Sequence, residues 1–135
     1  MIQTNSDGGA RGNPGPAAIG IIVRDDEKII EKYSAKIGRA TNNIAEYKAL
    51  IKAIELASKH TNKELTCYLD SELIVKQLLG EYKVRDEKLL ELFLIVQKLQ
   101  ENFSKIKYIH VSRWDEFQKI ADKLLNKELD KKKSL

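Results

Sequence analysis

The fold turns on residues 2–24. They open as Ile2-Gln3-Thr4-Asn5-Ser6-Asp7, a short polar strand, and turn through Gly8-Gly9-Ala10-Arg11-Gly12-Asn13-Pro14-Gly15-Pro16. They return as Ala18 to Arg24, whose run Ile19-Gly20-Ile21-Ile22-Val23 has the length and β-branched content of a buried strand. Asp25-Asp26-Glu27 then turns the chain into a third strand around Ile29 to Ile37, the hairpin partner of the second. A meander of three strands therefore begins the fold, and an aspartate sits where its first strand ends.

The pattern then changes to helices linked by strands. A helix is expected from about Asn43 to Ser58, with Ile44, Tyr47, Ile51 and Ile54 at three-to-four spacing. Leu65 to Leu69 alternates as a strand and ends at Asp70. Ser71 suits the cap of a short helix through Ile74, Val75, Leu78 and Leu79, stopped by Gly80. A longer amphipathic helix is expected over Asp86 to Asn102, then a strand through Ile106, Tyr108 and His110. The last helix, about Glu116 to Leu129, should turn Phe117, Ile120, Ala121, Leu124 and Leu125 inward. The order β-β-β-α-β-α-α-β-α predicts an α/β fold, a mixed five-stranded sheet flanked by helices with right-handed crossovers.

Composition bounds the function. A length of 135 residues suits one domain, read here as 1–135 with 131–135 a flexible basic tail. Hydrophobic residues at 42% and charged residues at 33% describe a globular chain rather than a disordered one. No apolar run approaches the roughly 18 residues of a membrane span, and Met1 to Asn5 lacks the blocks of a signal peptide. A lone cysteine, Cys67, excludes an internal disulfide and fits a reducing, cytoplasmic compartment. The formal charge of +4 is compatible with nucleic acid without requiring it.

Four acidic residues stand out: Asp7, Glu46, Asp70 and Asp122. Each has an ordinary explanation. Asp7 precedes a glycine turn, Glu46 follows Asn43 by three residues as in a capping box, Asp70 can cap the next helix, and Asp122 can be a surface charge. Their placement argues otherwise. Asp7 and Asp70 end strands that can lie side by side, with Glu46 in the first turn of a crossover helix. Ligands of such sheets sit outside the carboxyl ends of parallel strands. Carboxylates gathered there repel one another unless cations neutralise them. Oxygen ligands select Mg²⁺ or Mn²⁺, a pair of which activates water and stabilises a leaving oxygen in phosphoryl chemistry.

The strings around these residues carry a family resemblance. Asp7-Gly8-Gly9-Ala10-Arg11-Gly12-Asn13-Pro14-Gly15-Pro16 resembles the opening motif of type 1 ribonucleases H. Thr41-Asn42-Asn43-Ile44-Ala45-Glu46-Tyr47 resembles their second, Asp70-Ser71-Glu72 their third, and Ala121-Asp122-Lys123-Leu124-Leu125-Asn126 their last. The match spans nearly the whole chain in the family's order. It implies hydrolysis of the RNA strand of an RNA–DNA hybrid by two metal ions, Mg²⁺ or Mn²⁺, leaving 5′-phosphate and 3′-hydroxyl ends. Asp7 would bridge the ions, Asp122 would hold the water-activating one, and Glu46 and Asp70 the other. Asn13, Asn42, Asn43 and Glu72 match positions that read the minor groove of the hybrid, and Thr41 one that grips a DNA phosphate. A monomer is expected, with double-stranded RNA as a second candidate partner, and the lack of a long apolar run leaves no membrane partner expected.

The chain departs from the pattern in places. Asn5-Ser6 stands where apolar or aromatic residues are usual, and polar side chains in a central strand need partners or weaken the core. Gly80 to Arg85 leaves no room for the basic handle, an extra lysine-rich helix found in some members. Arg113 to Gln118 lacks the histidine that some members place before the last helix. His60 falls at a helix end and His110 reads as structural; Cys67 reads as a core residue, and Trp114 either stacks on a nucleotide or anchors its loop on the core. Two rival readings remain: a non-catalytic module binding hybrid or double-stranded RNA, and a relative of the same fold acting on DNA.

Overall fold

The computed structural model describes residues 1–131. Nine elements follow in order: β1 (Ile2–Ala10), β2 (Gly15–Asp25), β3 (Lys28–Ala40), α1 (Asn42–Ala57), β4 (Glu64–Leu69), α2 (Glu72–Leu78), α3 (Glu87–Gln100), β5 (Lys105–His110) and α4 (Glu116–Asp130). The sheet has the order β3-β2-β1-β4-β5, antiparallel across β3, β2 and β1 and parallel across β1, β4 and β5. This is the mixed sheet that the element order predicts, and β1 is its central strand.

β1 is longer than its sequence suggests. Gly8, Gly9 and Ala10 continue the ladder opposite Ile19, Ala18 and Ala17, and the Arg11 amide closes the hairpin on the Pro16 carbonyl at 2.8 Å. The expected turn over residues 8–16 shrinks to 11–14. Glycine there serves proximity. A Cβ on Gly8 would fall on the backbone carbonyl of Ala45, and one on Gly20 on the carbonyl of Ala121, so α1 and α4 each approach the sheet at backbone distance.

α1 lies on one face of the sheet and buries Ala45, Tyr47, Ala49, Leu50, Ala53 and Ile54. Its alanines permit the close approach, while Leu50 and Ile54 join Leu65, Leu69, Ile74 and Val96 in the main core. Each such aliphatic side chain, fully buried, contributes roughly 1.5–3 kcal/mol. α4 covers the other face. Of its five residues expected inward, only Ala121 and Leu125 are fully buried; Phe117, Ile120 and Leu124 are half-buried, and the third buried position is Gln118. A polar residue holds that position because it meets Asn5. The Asn5 amide donates to Gln118 Oε1 at 3.1 Å, and Arg24 Nε donates to Asn5 Oδ1 at 2.9 Å. The expected local weakness at Asn5 is therefore answered by partners from β2 and α4, whereas Ser6 Oγ has none.

Helix starts follow hydroxyl and carboxylate caps: Thr41, Ser71, Asp86 and Asp115 each accept backbone amides of the first turn. Because Thr41 caps α1, Asn43 and Glu46 do not form the capping box their spacing allowed, and Asn42 and Asn43 are not caps. β5 is an edge strand in which only Tyr108 is buried; His110 is exposed at its end, so it is not a core residue. Trp114 is 68% exposed and does not anchor its loop on the core. Residues 79–86 join α2 to α3 without a helix, as expected for a chain without the handle. No helix among the described residues is long and apolar enough to cross a membrane. Of the tail expected over 131–135, Lys131 is described and pairs with Glu128 at 3.1 Å, and residues 132–135 lie outside the described residues.

Candidate active site

The parallel ladder between β1 and β4 ends with the pair Ser6–Leu69, so Asp7 and Asp70 stand side by side just past it. Asp70 follows the end of β4, whereas Asp7, expected to end its strand, lies inside β1, which runs on to Ala10 against β2 alone. The close packing of Gly8 on Ala45 brings Glu46, the next residue of α1, to the same edge. One carboxylate oxygen from each of Asp7, Glu46 and Asp70 lies within 4.8 Å of the other two. Three groups from three elements, the first and last 63 positions apart by number (70 − 7), converge only through the sheet register.

Asp122 joins from the opposite layer. It is exposed on α4, where Asn126 Nδ2 donates to its Oδ1 at 3.1 Å, and it is close enough to Asp7 to help raise that carboxyl. Asp7, Glu46, Asp70 and Asp122 line one cleft of about 250 Å³. Arg11 and Arg113 supply cationic groups at its walls.

The electrostatics follow from crowding. Asp7 is only 7% exposed; burial, then the charges of Asp70, Glu46 and Asp122, push its carboxyl up to about 9. Glu46 is pushed up to about 7 by burial and by Asp70, against a hydrogen bond with Ser71. Burial also raises Asp70, while its backbone hydrogen bond and the nearby charges of His110 and Arg113 act against the rise. A cluster that resists ionisation in the absence of a cation has the donor set of a hard divalent ion: oxygen only, anionic, and open to a cleft. The residues present therefore fit a metal.

Arg113 and His110 escaped the sequence reading. The signal was available, because His110 ends β5 and Arg113 follows it, β5 is a parallel strand beside β4, and the rule that points to Asp70 points to that strand end also. The Arg113 guanidinium lies 4.7 Å from the Trp114 ring centroid, which holds the cation at the cleft rim.

Of the residues matched to substrate reading, Asn13, Thr41, Asn42 and Asn43 share a second groove, which Asp86 and Lys88 also line. Asn13 Oδ1 accepts the Asn42 amide at 2.9 Å, and Asn42 Oδ1 accepts the Ala10 amide at 2.8 Å. These bonds tie the 11–14 turn to the start of α1. Glu72 stands apart on α2, exposed and paired with Lys76 at 2.9 Å.

Comparison with known proteins agrees with this architecture. Residues 5–128 match the family described as "Reverse transcriptase-like". The bifunctional protein Rv2228c of Mycobacterium tuberculosis is 40% identical over 131 residues, 96% of this chain; the chain spans only 35% of that protein's length. The crystal structure of RNase H1 from the halophilic archaeon Halobacterium salinarum has a TM-score of 0.89 at 37% identity, covering 96% of this chain and 97% of that one. LC11-RNase H1, solved in complex with RNA/DNA hybrid, has a TM-score of 0.87 at 38% identity, with coverage of 96% and 97%. The fold thus agrees over nearly the whole length of these ribonuclease H domains, at 37–38% identity, and the chain belongs to the type 1 ribonuclease H family.

Proposed function

We propose that the chain hydrolyses the RNA strand of RNA–DNA hybrids, a metal-dependent endonuclease acting through Asp7, Glu46, Asp70 and Asp122. One observation carries the reading: Asp7, Glu46 and Asp70 bring carboxylate oxygens within 4.8 Å of one another at the end of the parallel strands, with Asp122 facing them from α4. In this reading Glu46 and Asp70 would hold one ion and Asp122 the other, and Asp7 would serve both. Two Mg²⁺ or Mn²⁺ ions, when bound, would supply a water nucleophile at neutral pH and charge stabilisation on the leaving oxygen. Metal binding requires Asp7 and Glu46 deprotonated, so cation entry and proton release are linked. Water adds to phosphorus, the P–O3′ bond breaks, and the products carry 5′-phosphate and 3′-hydroxyl ends.

Substrate choice rests on the second groove. Asn13, Asn42 and Asn43 offer amides suited to 2′-hydroxyls and base acceptors of the minor groove, and Thr41 a hydroxyl suited to a DNA phosphate. Glu72, apart on α2, would complete the minor-groove set. The chain is read as a cytoplasmic monomer, with the fully buried Cys67 thiol fitting a reducing compartment.

Labelled RNA–DNA hybrid, double-stranded RNA and double-stranded DNA, each with Mg²⁺ or Mn²⁺, test the reading. Cleavage of the RNA strand of the hybrid and no cutting of DNA duplex are expected. Binding of hybrid without cleavage under either metal would establish the non-catalytic module instead, and cutting of DNA duplex the DNA-acting relative.

A further inference from the structure

Asn5, Arg24 and Gln118 lie buried between the sheet and α4, outside the cleft. Their hydrogen bonds run in one direction. Arg24 has donors only, and its Nε donates to Asn5 Oδ1 at 2.9 Å. The Asn5 Nδ2 is thereby turned to donate to Gln118 Oε1 at 3.1 Å, and Gln118 Nε2 to donate to the Ser6 carbonyl at 2.8 Å. Arg24 is fixed in turn by Gln3 Oε1 at 3.2 Å and the Asp26 carbonyl at 2.6 Å. Its guanidinium lies 4.1 Å from the Phe117 ring centroid and 5.2 Å from that of Tyr68.

Such a relay is an expensive way to fill a core. Apolar groups of the same shape can be as stable as a buried hydrogen-bonded set, because the polar set must first be desolvated. What the relay supplies is register. An apolar helix face tolerates small slides along the sheet, whereas donor–acceptor distances near 3 Å do not. The relay ends on Ser6, the residue before Asp7. It passes through Gln118, which precedes Asp122 by one turn, about 6 Å of helix rise.

We propose that Gln118, oriented through Asn5 by Arg24, is a positioning residue that sets the register of α4 on β1 and holds the Asp122 carboxylate against Asp7. The proposal rests on the hydrolytic reading of the site given above.

The test is a double-mutant cycle of Gln118→Met and Asp122→Asn, with hybrid cleavage as one measurement and nuclear Overhauser contacts as the other. Gln118→Met keeps length and removes the relay. It should fold, lower kcat by about 10- to 100-fold as a misplacement near 1 Å does, and leave KM for the hybrid within about threefold. Asp122→Asn in that background should cost little more, because the two losses share one cause. The α4 register is read without metal or substrate from the approach of Leu125 to Gly9, where an added Cβ would lie 3.5 Å from Leu125 Cδ1. That contact should weaken in Gln118→Met. Losses that multiply, or an unchanged Gly9–Leu125 contact, overturn the proposal. Should Gln118→Met not fold, Arg24→Met, which keeps the stem between the rings and frees the Asn5 amide, is judged by the same cycle and contact. A wild-type protein that cleaves no hybrid refutes the hydrolytic reading, and the register contact alone then decides the role of Gln118.

Discussion

Gly8 and Ala45 touch backbone to backbone: the space a Cβ on Gly8 would need is occupied by the Ala45 carbonyl. This contact holds the start of α1 on the central strand, and through it Glu46 reaches Asp7. Gly8→Ala should therefore injure both the fold and the site. A loss of about 3 kcal/mol or more is expected in denaturant unfolding, at the upper end of overpacking costs, together with loss of hybrid cleavage. A variant within about 0.5 kcal/mol of wild type would show that α1 can shift freely.

Removing a carboxylate should cost chemistry and spare the fold. Asp7→Asn, Glu46→Gln and Asp70→Asn are each expected to lower cleavage at saturating Mg²⁺ to near background. In chelator their melting temperatures should match or exceed that of wild type, because mutual repulsion is relieved. Near-normal turnover in any one of them would remove that residue from the catalytic set.

Metal-free stability should fall with rising pH. Asp7 moves from an ordinary 3.8 to about 9 and Glu46 from 4.5 to about 7. Raised carboxyl values mean that the folded state binds more protons than the unfolded chain between those limits. Their contribution is complete below about pH 4 and is lost as pH rises through 7 and 9. Denaturant unfolding in chelator at pH 5, 7 and 9 should show the decline. Asp7→Asn should flatten most of it, and Mg²⁺ should restore stability at the alkaline end by binding the folded, deprotonated site. A flat wild-type profile in chelator would contradict the burial and crowding of Asp7.

Asp122 differs from the other three because it is exposed and outside the tight triplet. Asp122→Asn should lower activity strongly yet recover part of it in Mn²⁺, which tolerates altered ligands more readily. If Asp122→Asn were silent while Asp115→Asn or Glu116→Gln abolished cleavage, the ligand would lie at the start of α4, about two turns before Asp122. The structure makes that outcome unexpected, since Asp115 is occupied capping Phe117 and Gln118.

Without a handle, few cations are left to grip substrate. Lys83 and Arg85 are exposed in the 79–86 loop, and Arg11 is paired with Asp130 at 2.6 Å. The salt dependence of hybrid binding should correspond to about three to five phosphate contacts, at a slope near −0.9 per contact, below the roughly six to ten of extensive binders. Truncation after Lys131, which keeps the Arg11–Asp130 pair, should weaken binding modestly and leave kcat unchanged. A steep slope in the truncated protein would reveal a basic surface elsewhere.

Local pattern alone determined a good deal of this protein. Apolar spacing located β2, β3, α1 and α3 to within a few residues, Ser71 located the start of α2, and the order of elements implied the mixed sheet. Asp70 was legible from its strand end, and Asp7, Glu46 and Asp122 from the strings around them. Gly8 to Ala10 was misread as turn, because glycine's commonest local use is a turn and its use here is a contact with α1, 37 positions away by number (45 − 8). Gln118 was not legible as a core residue: its partners Asn5 and Ser6 lie 113 and 112 positions away, and a lone polar residue on a helix reads as solvent-facing. Asp7's reluctance to ionise, the neighbourhood of Asp122 and the cationic rim of Arg113 likewise belong to the tertiary structure. Periodicity is set by residues a few positions apart, so one strand or helix reveals it. Burial and Coulomb repulsion depend on distances through space, and those exist only once β1, β4, α1 and α4 have met at one edge of the sheet.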